Sequence, residues 1–135
     1  MNKCKSHTII VSIGSNHDAK NNVAKATLLL AGRFKNMSES PAKETKPIGI
    51  DNGTMFVNKI IMGETILSYH DVERTLKELE MKCGETRSGR KDGVVIVDLD
   101  LLKYDDTKYH KNDWNRGYVV ELLAKTDPKV KGEKL

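Results

Sequence analysis

Apolar residues recur along this chain at two spacings, and the two alternate. From His7 to Ile13, Ile9, Val11 and Ile13 occupy every second position, as in a strand with one buried face. Gly14-Ser15-Asn16 follows as a turn. From Asp18, a candidate N-cap, to about Ala31, residues Val23, Ala26 and Leu30 recur at helical spacing, and Gly32 supplies the stop. Phe34 to about Lys46 is polar and reads as an extended edge strand broken by Pro41. Thr45 to Gly53 is a loop dense in turn residues. Met55 to Thr65 alternates again, with Phe56, Asn58, Ile60 and Met62 on one face and Lys59 between Val57 and Ile61 on the other. Ser68 caps a second helix with Val72, Leu76 and Leu79 as its stripe and Gly84 at its end. Glu85 to Gly93 is a basic, glycine-containing loop. Val94 to Leu102 is rich in β-branched residues and reads as a buried strand. A short apolar helix is expected from about Tyr118 to Leu123.

The resulting order, β-α-β-β-α-β, is that of a ferredoxin-like α+β fold, an antiparallel sheet with two helices on one face. The other face is expected to be free for a ligand. A length of 135 residues suits one domain, spanning 1–135. The net charge of +4 favours anionic ligands, although the lysines thicken towards the C-terminus as in a solvated tail. No apolar run reaches the length of a membrane span, and Met1 to Lys5 leads into the first strand without a signal-peptide core. Two cysteines, Cys4 and Cys83, form neither a disulfide framework nor a metal-ligand cluster, so a cytoplasmic location is expected.

Asp98-Leu99-Asp100 carries the most chemistry. Alternation puts Val95, Val97, Leu99 and Leu101 on one face of the strand and both aspartates on the other. Two like charges so close raise each other's pKa unless a cation sits between them. Magnesium takes one or two carboxylates and completes its octahedron with water and phosphate oxygens. The triplet equally suits a strand end carrying two hydrated acids.

Further motifs accompany the triplet in a fixed order. Ile13-Gly14-Ser15-Asn16 comes first, then Thr45-Lys46-Pro47-Ile48-Gly49, Phe56-Val57-Asn58, and Glu80 with Gly84. After Asp98-Leu99-Asp100 come His110 and Asn115-Arg116-Gly117-Tyr118. In this order, over roughly Ile9 to Pro128, the chain resembles the 6-hydroxymethyl-7,8-dihydropterin pyrophosphokinases of folate biosynthesis. The resemblance implies transfer of pyrophosphate from ATP to the pterin hydroxymethyl group, giving AMP, with Mg2+ held by Asp98 and Asp100. It implies stacking of the flat pterin between Phe56 and Tyr118, with Asn58 and the backbone of Thr45, Pro47 and Ile48 on its hydrogen-bonding edge. Arg116 and His110 would clamp phosphates. Arg87, Arg90 and Lys91 would close over the triphosphate, and Glu80 is placed with the nucleotide-side residues. The expected partners are a pterin and ATP, for a monomer that binds neither nucleic acid nor membrane. His7, His17 and His70 have no partner pattern and are left as structural.

The departures fall on the nucleotide side. The family's Trp-Gly-Pro-Arg-like stretch is represented by Asp92-Gly93-Val94-Val95, which keeps only the glycine. Glu85 stands where an arginine is usual, Lys111 where an aromatic is common, and the segment from Asp100 to His110 is short. The alternative is therefore a catalytically impaired pterin- or nucleotide-binding relative. A basic nucleic-acid binder of the same fold is disfavoured. It would need stacking aromatics on the central strands, where Ile10 and Ser12 stand, and the two acids would repel phosphate.

Overall fold

The computed structural model describes residues 5–46 and 55–126. Pro47, Ile48 and Gly49 of the second motif, Cys4, and the chain beyond Thr126 lie outside the described residues. The elements are β1 (His7–Ser15), α1 (Ala19–Ala31), β2 (Lys35–Glu39), β3 (Lys43–Thr45), β4 (Phe56–Thr65), α2 (Tyr69–Lys82), α3 (Arg87–Lys91), β5 (Asp98–Tyr104), β6 (Thr107–Lys108) and α4 (Gly117–Thr126). Sheet order is β2-β4-β1-β5-β6, every pairing is antiparallel, and β3 adds to β4 beside β2. This is the expected α+β, ferredoxin-like arrangement, extended at its edges by β3 and β6.

The interrupted edge strand forms as expected, and Ser40 explains why the ladder survives Pro41. The Ser40 N–H donates to Ile60 O at 2.8 Å and its Oγ accepts from the Ile60 N–H at 2.9 Å. Lys59 does lie on the helix-facing side, where its stem is largely covered and its amine pairs with Glu39. Ser68 caps α2, its Oγ accepting from the Asp71 N–H at 3.2 Å. Asp18 precedes α1 in a left-handed conformation (φ 43°) without a side-chain bond to the helix backbone. His7 gains a partner that its sequence context did not suggest. Its Nδ1 lies 2.6 Å from Asp105 Oδ2, and its ring stacks on Tyr104 with centroids 4.8 Å apart.

Three expectations are corrected. The fourth major strand begins at Asp98, not Val94, because side chains claim the backbone groups before it. Asn16 donates to Gly93 O (2.8 Å) and accepts from the Val95 N–H (2.7 Å), while Glu85 Oε1 accepts from Ile96 and Val97 (2.7 and 3.1 Å). Glu85 to Gly93 is not an open loop. It contains the helical turn α3, whose N-cap Thr86 accepts from the Gly89 N–H at 3.0 Å. Gly93 closes this segment at φ +83°, a conformation that favours glycine.

The sheet face opposite α1 and α2 is also not wholly open. The main core packs Ile9, Val11, Ile13, Val57, Ile61, Leu99 and Leu101 against Val23, Leu30, Val72, Leu76 and Leu79. A second cluster forms on the other face, where Val119 and Leu122 of α4 pack on Ile10, Ile60 and Leu102. A salt link from Lys43 of β3 to Glu121 of α4 ties down its outer side. Part of that face is therefore capped, and the remainder includes the floor of a cavity. Leu122→Ala should lower stability by about 2–5 kcal/mol, the usual cost of a buried leucine truncation, read as a shift in the urea midpoint. An unchanged midpoint would show that α4 does not contribute to the cooperative fold.

Candidate active site

Strand register builds this site. Gly14 of β1 lies opposite Asn58 of β4 on one side and Asp98 of β5 on the other. Two residues along, Ser12 lies between Ile60 and Asp100 in the same way. Alternation puts all six on the face shared with α4. Strands lie ~4.8 Å apart, so the Asn58 amide and the Asp98 carboxylate start ~10 Å apart, across a trough floored by small residues. Gly14 keeps the floor low, and a Cβ there would sit 3.4 Å from Asn58 Oδ1, in contact with it.

A cavity of about 250 Å³ fills the trough, lined on its two sides by different chemistry. Thr45, Phe56 and Asn58 line it from the β4 side and Asp98 and Asp100 from the β5 side, while Asp113, Arg116 and Tyr118 come from the segment that enters α4. Seven residues singled out from sequence thus meet around one space. Asn58 is buried, as an amide in an apolar strand must be partnered to be, and its Nδ2 donates to Thr45 Oγ1. His110 does not line the cavity, but its Nε2 lies 3.9 Å from Asp100 Oδ1, on a left-handed backbone (φ 54°) that follows β6. Arg116 Nη2 contacts Asp113 Oδ1 at 3.2 Å, and the Tyr118 oxygen beside it helps hold the guanidinium above its ordinary pKa.

Other expected residues are elsewhere. Arg87 and Lys91 are exposed on α3 and do not line the cavity. Arg90 turns inward, with Nη2 3.1 Å from Asp98 Oδ1 and Nε 2.6 Å from Glu85 Oε2, the latter an ion pair outside hydrogen-bond alignment. Glu80 lies behind the sheet, its side chain 6% exposed, with Oε2 accepting from the Leu99 N–H at 2.7 Å. It braces β5 between the two aspartates and does not face the cavity. Burial, foremost, pushes its carboxyl above the ordinary range. Sequence reasoning missed Ser12, Asp113 and the bracing roles of Asn16 and Glu85. Small residues opposite Asn58 and the acids were the available signal for the trough.

The acid pair fits a divalent cation on its own chemistry. Burial pushes the Asp100 carboxyl up from 3.8 to about 8, and the adjacent Asp98, close enough to share a proton with it, adds to the shift. An ion between the two would relieve both effects. Bare Asp100 binds its proton more tightly folded than unfolded, so its contribution to stability is complete below about pH 4 and is lost as pH rises towards 8. Metal-free protein should therefore melt at progressively lower temperature from about pH 5 to about pH 8, and Asp100→Asn should flatten that decline. Parallel melting curves for the two proteins would contradict the shift.

Paired acids, an arginine, two aromatic rings and a buried amide thus line one cavity on the uncovered part of a ferredoxin-like sheet. Residues 10–128 match the 7,8-dihydro-6-hydroxymethylpterin-pyrophosphokinase (HPPK) family, and the chain belongs to it. It is similar to a folate synthesis bifunctional protein of Arabidopsis thaliana, 29% identical over 133 residues, covering 88% of this chain and 28% of the relative. A mitochondrial folate synthesis bifunctional protein of the same plant is 28% identical over 132 residues, with 87% and 23% covered. One from Pisum sativum is 26% identical over 125 residues, with 85% and 24% covered. The chain spans about a quarter of the length of these relatives.

Proposed function

We propose that this chain transfers pyrophosphate from ATP to the hydroxymethyl group of 6-hydroxymethyl-7,8-dihydropterin, releasing AMP, as a step of folate biosynthesis. One observation carries the proposal. One cavity is lined by Phe56, Asn58 and Tyr118 and by the Asp98–Asp100 pair, with Asn58 and Asp98 on either side of Gly14. Family membership supports the same reaction.

The pterin stacks between Phe56 and Tyr118 and offers its amide-like edge to Asn58 and Thr45. Its hydroxymethyl group then points over Gly14 and Ser12 towards the acids. The hydroxyl oxygen attacks the β-phosphorus and releases its proton to water, the bond from that phosphorus to the oxygen it shares with the α-phosphate breaks, and AMP leaves with that oxygen. Asp98 and Asp100 would hold Mg2+, which supplies positive charge against the phosphate oxygens. Arg116 and His110 add cationic or hydrogen-bonding contacts to the polyphosphate, and the protein otherwise works by position. A second reading, a pterin binder with impaired catalysis, is favoured by one specific feature. The inward arginine of α3 is engaged by acids, and its exposed neighbours Arg87 and Lys91 stand off the cavity.

AMP formation with ATP, Mg2+ and pterin tests the proposal. Wild type should release AMP only with all three, and Asp98→Ala/Asp100→Ala should lose at least about a hundredfold in turnover. Retained turnover in that variant would remove the acids from the mechanism, and pterin binding without AMP release would select the second reading. Asn58→Ala should weaken pterin binding roughly tenfold in calorimetry while leaving ATP binding unchanged, since only the ring edge loses its partner. Equal pterin affinity would move the ring elsewhere.

A further inference from the structure

Glu85 is a buried acid next to a basic helical turn, and its contacts give it a purpose. Its side chain is 6% exposed and faces away from the cavity. Oε1 is fixed by the Ile96 and Val97 N–H groups, and Oε2 lies 2.6 Å from Arg90 Nε. Nη2 of the same guanidinium lies 3.1 Å from Asp98 Oδ1 and 3.7 Å from Glu80 Oε2. Glu80 is itself held by the Leu99 N–H. Arg90 thus spans two acids anchored on backbone amides and one acid that opens onto the cavity.

These three contacts are not equivalent. Glu85 and Glu80 are fixed and nearly buried, whereas the Asp98 side chain is 35% exposed and open to a competitor. Arg90 engages Asp98 Oδ1, one of the two oxygens that a divalent ion seated between Asp98 and Asp100 would draw on, so the two cations compete for this carboxylate. Only a planar guanidinium can offer Nε to Glu85 and Nη2 to Asp98 at once, so a lysine at this position could not hold both in this arrangement. We propose that Glu85 is a positioning residue: it holds Arg90 against Asp98 as a built-in cation that a divalent metal ion must displace. Once displaced, Arg90 remains tethered through Nε, with its Nη edge free for an incoming anion. The inference rests on the acid pair being the metal site of the proposed reaction.

Titration of metal- and nucleotide-free protein with Mn2+ alone, followed by electron paramagnetic resonance of the free ion, tests this without turnover. Arg90→Gln should bind Mn2+ roughly fivefold more tightly than wild type, the effect of one partly exposed charge pair. Arg90→Lys keeps the charge but lacks the fork, and should gain most of that increase. If Arg90→Lys binds like wild type while Arg90→Gln binds more tightly, charge at a distance is the cause and the positioning role falls. Arg90→Gln leaves Glu85 bare and buried, so Glu85→Gln/Arg90→Gln, which retains an acceptor for Ile96 and Val97, guards against misfolding. That double variant should match the single one, and affinity no tighter than wild type in both overturns the proposal. Asp98→Asn should weaken Mn2+ binding, and an unchanged affinity would overturn both this inference and the metal assignment. AMP formation is scored separately, so an inactive protein with the expected Mn2+ affinities would sink the pyrophosphokinase reading alone.

Discussion

Two carboxylates fixed on one face of one strand cannot both stay charged at no cost, and the site is arranged around that repulsion. Asp98 and Asp100 cannot move apart, because β5 is paired with β1 on one side and Glu80 grips the amide between them from behind. Relief must come from positive charge or protons. Arg90 supplies charge to Asp98, His110 stands near Asp100, and Asp100 holds its proton far above the ordinary carboxylate range. A bound cation would replace all three at once. The demand for counter-charge beside a pocket for a flat ring is what joins this geometry to polyphosphate chemistry.

Much of this was legible in the residue pattern, for reasons that differ by element. Strand alternation is strict, so the faces of β1 and β4 and the outward pair on β5 followed directly from spacing. Phe56, Asn58, Asp98, Asp100, Arg116 and Tyr118 meet because each motif sits at a strand end or helix start on one side of the sheet. Less legible was anything that depends on a side chain capturing a distant backbone. Val94 to Val97 has strand composition but no strand, since Asn16 and Glu85 take its amides across gaps of roughly ten to eighty residues. No local propensity encodes such a capture. The docking of α4 on the ligand face was equally hidden, because its apolar stripe shows that it packs but not on which side.

Substitutions on the nucleotide side look different once placed in three dimensions. By sequence alone, Glu85 is an acid set against an expected triphosphate. In the fold it turns away from the cavity, braces the approach to β5 and orients Arg90. The changes around α3 therefore form one cooperating unit, in which a helical turn, a buried acid and an inward arginine depend on each other. Asp113 does for Arg116 what Glu85 does for Arg90, pairing with the guanidinium at 3.2 Å.

The cross-strand row of Asn58, Gly14 and Asp98 has a consequence for how such a chain can change length. These residues meet only while three strands stay in phase, and one added residue within any of them would send its half of the pocket to the helical side. Insertions and deletions should therefore accumulate in the connections, such as the tight bend between Tyr104 and Thr107. The strands act as a ruler whose divisions cannot be altered singly, and lineages carrying this sheet are free to vary only what lies between the marks.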